Sequence, residues 1–154
     1  MRVVLQRVTR AIVRVGDETV GDCGPGFVAF VGVAETDSEA EARRLAAKTA
    51  ELRVFNDSEG RFNLSVIDAG GEVLVISQFT LIADLRRGRR PSFNAAAQPE
   101  VAEPIVETFA RHLEELGLRV GRGRFGAHMT VDIFNEGPVT IVLDSEELDR
   151  PRRR

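Results

Sequence analysis

The stretch EVLVISQFTL, Glu72 to Leu81, decides how the rest of the chain is read. Val73, Leu74, Val75 and Ile76 form an unbroken apolar run, the pattern of a strand buried on both faces. Ser77, Gln78 and Thr80 follow before Leu81 and Ile82 restore the apolar character. On a pleated strand Ser77 and Phe79 point to one side while Gln78 and Thr80 point to the other, which puts hydrogen-bonding groups on both faces of a core sheet. Buried polar groups cost free energy unless they are satisfied, so the stretch requires either a structural partner or a ligand.

Outward from this strand, runs at residues 2–8, 11–15 and 27–34 predict further strands, joined by turn-rich pieces such as VGDE and DCGPG. Thr36 to Glu39 has the form of a capping box, and Ala42, Leu45, Ala46 and Leu52 follow at helical spacing, which predicts a helix from about Ser38 to about Leu52. NDSEGRFN, residues 56–63, reads as a loop. Val101, Ile105, Phe109, Leu113 and Leu116 fall near one helical face and Gly117 supplies a stop; Pro104 predicts that this second helix begins near Glu103 or bends there. Strands at 127–133 and 139–143 are joined by FNEGPV, and apolar periodicity is lost after Asp144, so residues 145–154 read as an Arg-rich mobile tail. The predicted class is α+β: one domain with an antiparallel or mixed sheet, or a partly closed barrel, covered on one side by two main helices.

Composition narrows the chemistry. At 154 residues, with 43% hydrophobic and 29% charged residues, the chain suits one ordinary globular core, and no apolar run reaches the roughly 20 residues of a membrane span. The N-terminal MRVVLQRVTR lacks a long apolar region and a small-residue cleavage site, so it reads as a first strand and the protein as cytoplasmic. Cys23 is the single cysteine, and His112 and His128 lie far apart without metal-ligand spacing, so neither a disulfide nor a zinc site is expected. A net charge of −3 argues against a general nucleic-acid binder, yet arginines concentrate in RPRRR at the end of the chain and in RRGRR, Arg86 to Arg90, directly after the central strand. Guanidinium groups match phosphate in bidentate geometry, so the second cluster is either a local phosphate contact or a solvated loop.

Most motif chemistry fails. GRGRFG, Gly121 to Gly126, has the dinucleotide spacing but precedes a strand where that motif needs a helix, and its glycines read as a turn. There is no phosphate-binding P-loop and no nucleophile elbow, and Cys23 between Asp22 and Gly24 has no base beside it in sequence. SQFTL (Ser77 to Leu81) and NEGPVT (Asn135 to Thr140) remain. Taken alone, Gly137-Pro138 reads as a hairpin turn or as a cis pair that redirects the flanking carbonyls.

These two pieces, with QRVTRA (Gln6 to Ala11), RPSF (Arg90 to Phe93) and GRF (Gly123 to Phe125), resemble the D-aminoacyl-tRNA deacylase family of chiral-proofreading enzymes, in its order and over nearly residues 1–144. The chain departs from that family's pattern at Glu136, where Asp is usual, and in its Arg-rich end. The resemblance implies a homodimer with the active site at the subunit interface. It implies hydrolysis of the ester between a D-amino acid and the tRNA 3′ end, with no cofactor or metal, and activity on glycyl-tRNA mischarged on tRNA(Ala). Catalytic positions would be Ser77, Gln78, Phe79 and Thr80. Gly137 and Pro138, flanked by Asn135, Val139 and Thr140, would enter the partner's pocket and hold the substrate. Arg86, Arg87 and Arg89 would then contact tRNA phosphates. Thr80 is the candidate nucleophile within SQFTL, but no base stands near it in sequence, so attack by water assisted by the tRNA 2′-hydroxyl is the favoured route. An RNA-end binding module and a small-ester hydrolase are the rival functions.

Overall fold

The structure is a computed structural model that describes residues 1–152; Arg153 and Arg154 of the expected tail lie outside the described residues. A long first strand, β1 (Arg2–Val15), organises the fold. It pairs antiparallel with β2 (Glu18–Cys23), β3 (Gly26–Gly32) and the last strand β8 (Thr130–Asp144). β3 continues in parallel to β6 (Glu72–Ser77), and β6 in parallel to β7 (Arg119–Arg122). Helices α1 (Glu39–Glu51) and α2 (Pro99–Glu115) supply the connections such parallel pairs need. A short hairpin, β4 (Phe55–Asn56) with β5 (Phe62–Leu64), stands in the stretch expected to be a plain loop.

The mixed sheet curls until β2 meets β7. A side chain on Gly21 would lie 2.2 Å from the Arg122 carbonyl, and one on Gly121 would lie 2.3 Å from the Asp22 carbonyl, so two glycines are required where the backbones touch. Gly121, expected in a turn, is therefore a strand residue that closes the sheet. Alternation along the strands then feeds two cores. Phe27, Ala29, Val31, Val73 and Val75 face the helices, meeting Leu45, Ile105, Phe109 and Leu113. Val28, Leu74 and Ile76 face inward with Val8, Ala11, Val13 and Cys23. Both faces of β6 are covered, which is why its sequence is continuously apolar. Burial pushes the Cys23 thiol up to about 11, which leaves it without thiolate character near neutral pH.

Several boundaries differ from the sequence reading. The capping box of α1 is Ser38 with Glu41, two residues beyond the expected pair, and hydrogen bonds from Ser38 hold the Glu41 carboxyl below its ordinary range. Helix entry is delayed because Asp37 is engaged elsewhere, accepting from the Ala34 N–H and the Met1 amine, each at 2.7 Å. α2 starts at Pro99, four residues before Glu103; a proline is favourable at the first helical position, and Pro104 is accommodated inside. Val101 lies off the buried face. The residues 2–8 and 11–15 belong to one strand, as do 130–144. Ser145–Leu148, read as the beginning of a tail, form a helical turn, α3; Ser145 is buried and its hydroxyl accepts from the Met1 amine at 2.8 Å. Among the described residues no helix is long and apolar enough to cross a membrane.

Candidate active site

SQFTL does not continue as a strand. β6 ends at Ser77, opposite Val31, and the Gln78 N–H donates to the Val31 carbonyl at 2.8 Å. β3 itself ends one residue later, so the chain loses its pairing partner and turns into a 3₁₀ helix at Phe79–Ile82. The expected alternation of Ser77 and Phe79 against Gln78 and Thr80 is therefore incorrect. Ser77 and Gln78 are half-buried, while Phe79 and Thr80 are exposed. The polar groups never interrupt the core; they stand at its open end.

There Ser77, Gln78 and Phe79 line a cavity of about 540 Å³, closed by Phe93, Met129 and the start of α2. Phe79 and Phe93 pack edge to face with ring centroids 5.0 Å apart. Thr80 does not line the cavity, and its hydroxyl accepts from the Gln78 side-chain amide. An amide is no base, so nothing in this contact activates Thr80 as a nucleophile. As the first two residues of the 3₁₀ turn, Phe79 and Thr80 have backbone N–H groups with no acceptor inside it. Among the described residues His128 is the only ionisable one lining the cavity; the sequence reading weighed it solely as a metal ligand.

NEGPVT is not a hairpin turn either. β8 runs on in one direction, but Gln6 pairs with Thr140 and Val8 with Asn135, so Arg7 alone faces the four residues Glu136 to Val139. They form a wide bulge, and the Gly137-Pro138 peptide in it is cis. The Asn135 side-chain amide ties the two ends by donating to the Arg7 carbonyl at 2.9 Å and the Val139 carbonyl at 3.1 Å. Gly137 has φ +118°, and a side chain there would lie 2.8 Å from Val139 Cγ2 and 3.1 Å from Arg7 Nη2. Thr140 faces outward, accepting from the Gln6 amide at 3.3 Å.

Arg7 is the residue that sequence reasoning missed. Its side chain is only 6% exposed, and Nη1 donates to the Val54 carbonyl at 2.8 Å and to Asn56 Oδ1 at 3.3 Å. The Phe62 ring covers its guanidinium at 5.5 Å. Val3, Leu5 and Arg7 share one face of β1, so an arginine in phase with two core residues was the available signal.

Within one protomer the two motifs stay apart. Ser77 lies at the level of Val31 and the bulge at the level of Phe27, four residues along β3, or about 13 Å at a strand rise of about 3.3 Å per residue. β1 and β3 separate them laterally. None of Asn135, Gly137, Pro138, Val139 or Thr140 lines the cavity.

The arginine loop begins and ends on an Asp84–Ser92 backbone bridge. Arg86 is committed to Asp84 through two charge-assisted contacts at 2.9 and 2.7 Å, which pull the Asp84 carboxyl down to about 2. Arg87 and Arg89 are exposed and make no ion pair among the described residues.

The family model described as D-Tyr-tRNA(Tyr) deacylase matches residues 4–144. A D-aminoacyl-tRNA deacylase of Roseiflexus sp. (strain RS-1) is 59% identical over the whole chain and 99% of its own length. One from Dehalococcoides mccartyi (strain CBDB1) is 55% identical over 99% of both chains. Among solved structures, a c-Myc DNA Unwinding Element Binding Protein superposes with a TM-score of 0.88 at 40% identity, covering 94% of this chain and 99% of that one. A probable eukaryotic D-amino acid tRNA deacylase, at 18% identity and a TM-score of 0.78, shares the fold over 92% of this chain and 97% of its own. With the family model matched over residues 4–144 and relatives matched end to end, the chain belongs to the D-aminoacyl-tRNA deacylase family, hydrolases of the aminoacyl-tRNA ester.

Proposed function

We propose that the protein works in the cytoplasm as a homodimer in which the Gly137-Pro138 bulge of one protomer enters the partner's cavity beside Ser77 and Gln78. The observation that carries this reading is the separation of the two motifs within one chain. The bulge projects from β8, whose outer edge has no strand beside it among the described residues, and Phe134 and Val142 on that strand are 51% and 57% exposed. A second copy would cover these apolar groups and bring both halves of the site together.

In the complete site the aminoacyl carbonyl carbon sits at the end of β6. Water adds to it, assisted by the 2′-hydroxyl of the terminal ribose, and the Phe79 and Thr80 N–H groups stabilise the tetrahedral oxyanion. The bond from carbon to the 3′-oxygen then breaks, and that oxygen takes up a proton. The products are a free D-amino acid and tRNA with its 3′-hydroxyl restored. Gln78 orients the terminal adenosine or the water, while Ser77 braces the strand end. Backbone carbonyls at Gly137 and Pro138 hold the substrate α-amino group, and Asn135, Val139 and Thr140 keep the bulge in shape. An L side chain meets the bulge backbone, whereas glycine presents only hydrogen, so glycyl-tRNA mischarged on tRNA(Ala) is also a substrate.

The direct test follows loss of ester label from matched D- and L-tyrosyl-tRNA in single turnover, with the wild type and Thr80→Ala. We expect loss of the D form alone, at rates within about tenfold for the two proteins, because no base activates Thr80. Hydrolysis of both forms would contradict the bulge as a chiral wall. A folded Thr80→Ala without activity would restore Thr80 as nucleophile.

In the arginine loop, Arg87 and Arg89 meet acceptor-stem phosphates, with a smaller part for Arg86, which Asp84 already pairs. Replacing Arg87 and Arg89 by Ala should weaken tRNA binding and lower the slope of log affinity against log salt by about 1 per lost phosphate contact. Binding measured across a salt series checks this, and an unchanged slope returns the loop to a solvated surface.

A further inference from the structure

We propose that Glu136 is a positioning residue: acting through the buried Arg7 guanidinium, it sets how firmly the Gly137-Pro138 bulge is seated and hence how strictly L-aminoacyl esters are rejected. This rests on the reading of the bulge as the chiral wall.

Arg7 is a buried cation whose hydrogen bonding is incomplete. Nη1 is used by Val54 and Asn56, but Nε is fully buried and has no acceptor among the described residues. Such a donor costs free energy until a partner reaches it. Glu136 Oε2 lies 3.7 Å from Nε, within ion-pair reach but beyond hydrogen-bond distance, and Glu136 is the one carboxylate paired with Arg7 among the described residues. The Glu136 side chain is 51% exposed, so it has room to move.

Closing this gap to about 2.9 Å would complete the Nε hydrogen bond and draw residue 136 toward β1. Gly137 follows in sequence, and a Cβ placed on it would lie 3.1 Å from Arg7 Nη2. The pair thus acts as a tether on the bulge from below, while the two Asn135 hydrogen bonds hold its ends. A tethered wall resists an L side chain, whereas an untethered one can yield to it.

The test compares wild type, Glu136→Gln and Glu136→Ala, each verified as folded by its melting temperature, on D- and L-tyrosyl-tRNA in single turnover. Glu136→Ala should lower the ratio of D to L hydrolysis rates about tenfold. Glu136→Gln should fall between it and wild type, since its side-chain oxygen keeps an acceptor for Nε to reach but brings no charge. A merely structural role would change both rates together and leave the ratio alone. If wild type discriminates and both variants keep its ratio, this proposal fails while the deacylase reading stands. If wild type spares the D ester, both fail together.

Discussion

Gly137→Val should abolish turnover of D-tyrosyl-tRNA, with a loss of about a hundredfold or more in single-turnover rate, while the protein still folds. Two observations set this expectation. The backbone at Gly137 has φ +118°, where a β-branched residue is strained, and a Cβ would press on Val139 and on the Arg7 guanidinium. The bulge must shift, and misplacement of about 1 Å at a positioning group costs about a hundredfold in rate. Because the bulge is on an exposed strand edge, the loss should appear in rate far more than in melting temperature. Retention of most activity by a folded Gly137→Val would remove the bulge from the site.

Gln78→Trp should be equally damaging for a different reason. Gln78 is half-buried at the rim of the cavity, and an indole there fills space the substrate needs without disturbing the core. The Gln78 N–H bond to Val31, which ends β6, involves the backbone and is kept by any residue. We therefore expect a folded protein with a rate about a hundredfold or more below wild type and loss of binding to a non-hydrolysable D-aminoacyl adenosine analogue. Binding at wild-type strength would mean that the ligand sits elsewhere.

Much of the scaffold was legible in the sequence because hydrophobic periodicity reports burial directly. The core strand at Val73 to Ile76, the α1 face with Ala42, Leu45 and Ala46, and the α2 face with Ile105, Phe109 and Leu113 all follow from it. The break after Ser77 was not legible, since Phe79, Thr80 and Leu81 are acceptable strand residues; what ends the strand is the loss of β3 as a partner. Two overlapping capping boxes, Thr36 with Glu39 and Ser38 with Glu41, were open to α1, and the choice lies in contacts of Asp37 with the distant Met1. Gly137-Pro138 looked like a turn because local sequence does not record that β1 holds both flanks of it.

For the candidate site, the two motifs stood out in the sequence as segments and their spatial arrangement did not. Periodicity places Ser77 and Gln78 at a strand end only once pairing is known, and Arg7 gains its meaning from Val54, Asn56 and Glu136, all remote in sequence. The arginine loop was visible as charge, but the commitment of Arg86 to Asp84 required side-chain geometry.

In the proposed homodimer each active site joins the cavity of one protomer to the bulge of the other, and mixing the two inactive variants separates this arrangement from a site built within one chain. A Gly137→Val chain has an intact cavity, and a Gln78→Trp chain has an intact bulge. If they are co-expressed and associate at random, half of the dimers are mixed and each mixed dimer has one complete site, so activity should return to about a quarter of wild type. If cavity and bulge instead serve each other within one chain, no combination restores a site, and the mixture should stay as inactive as either variant alone.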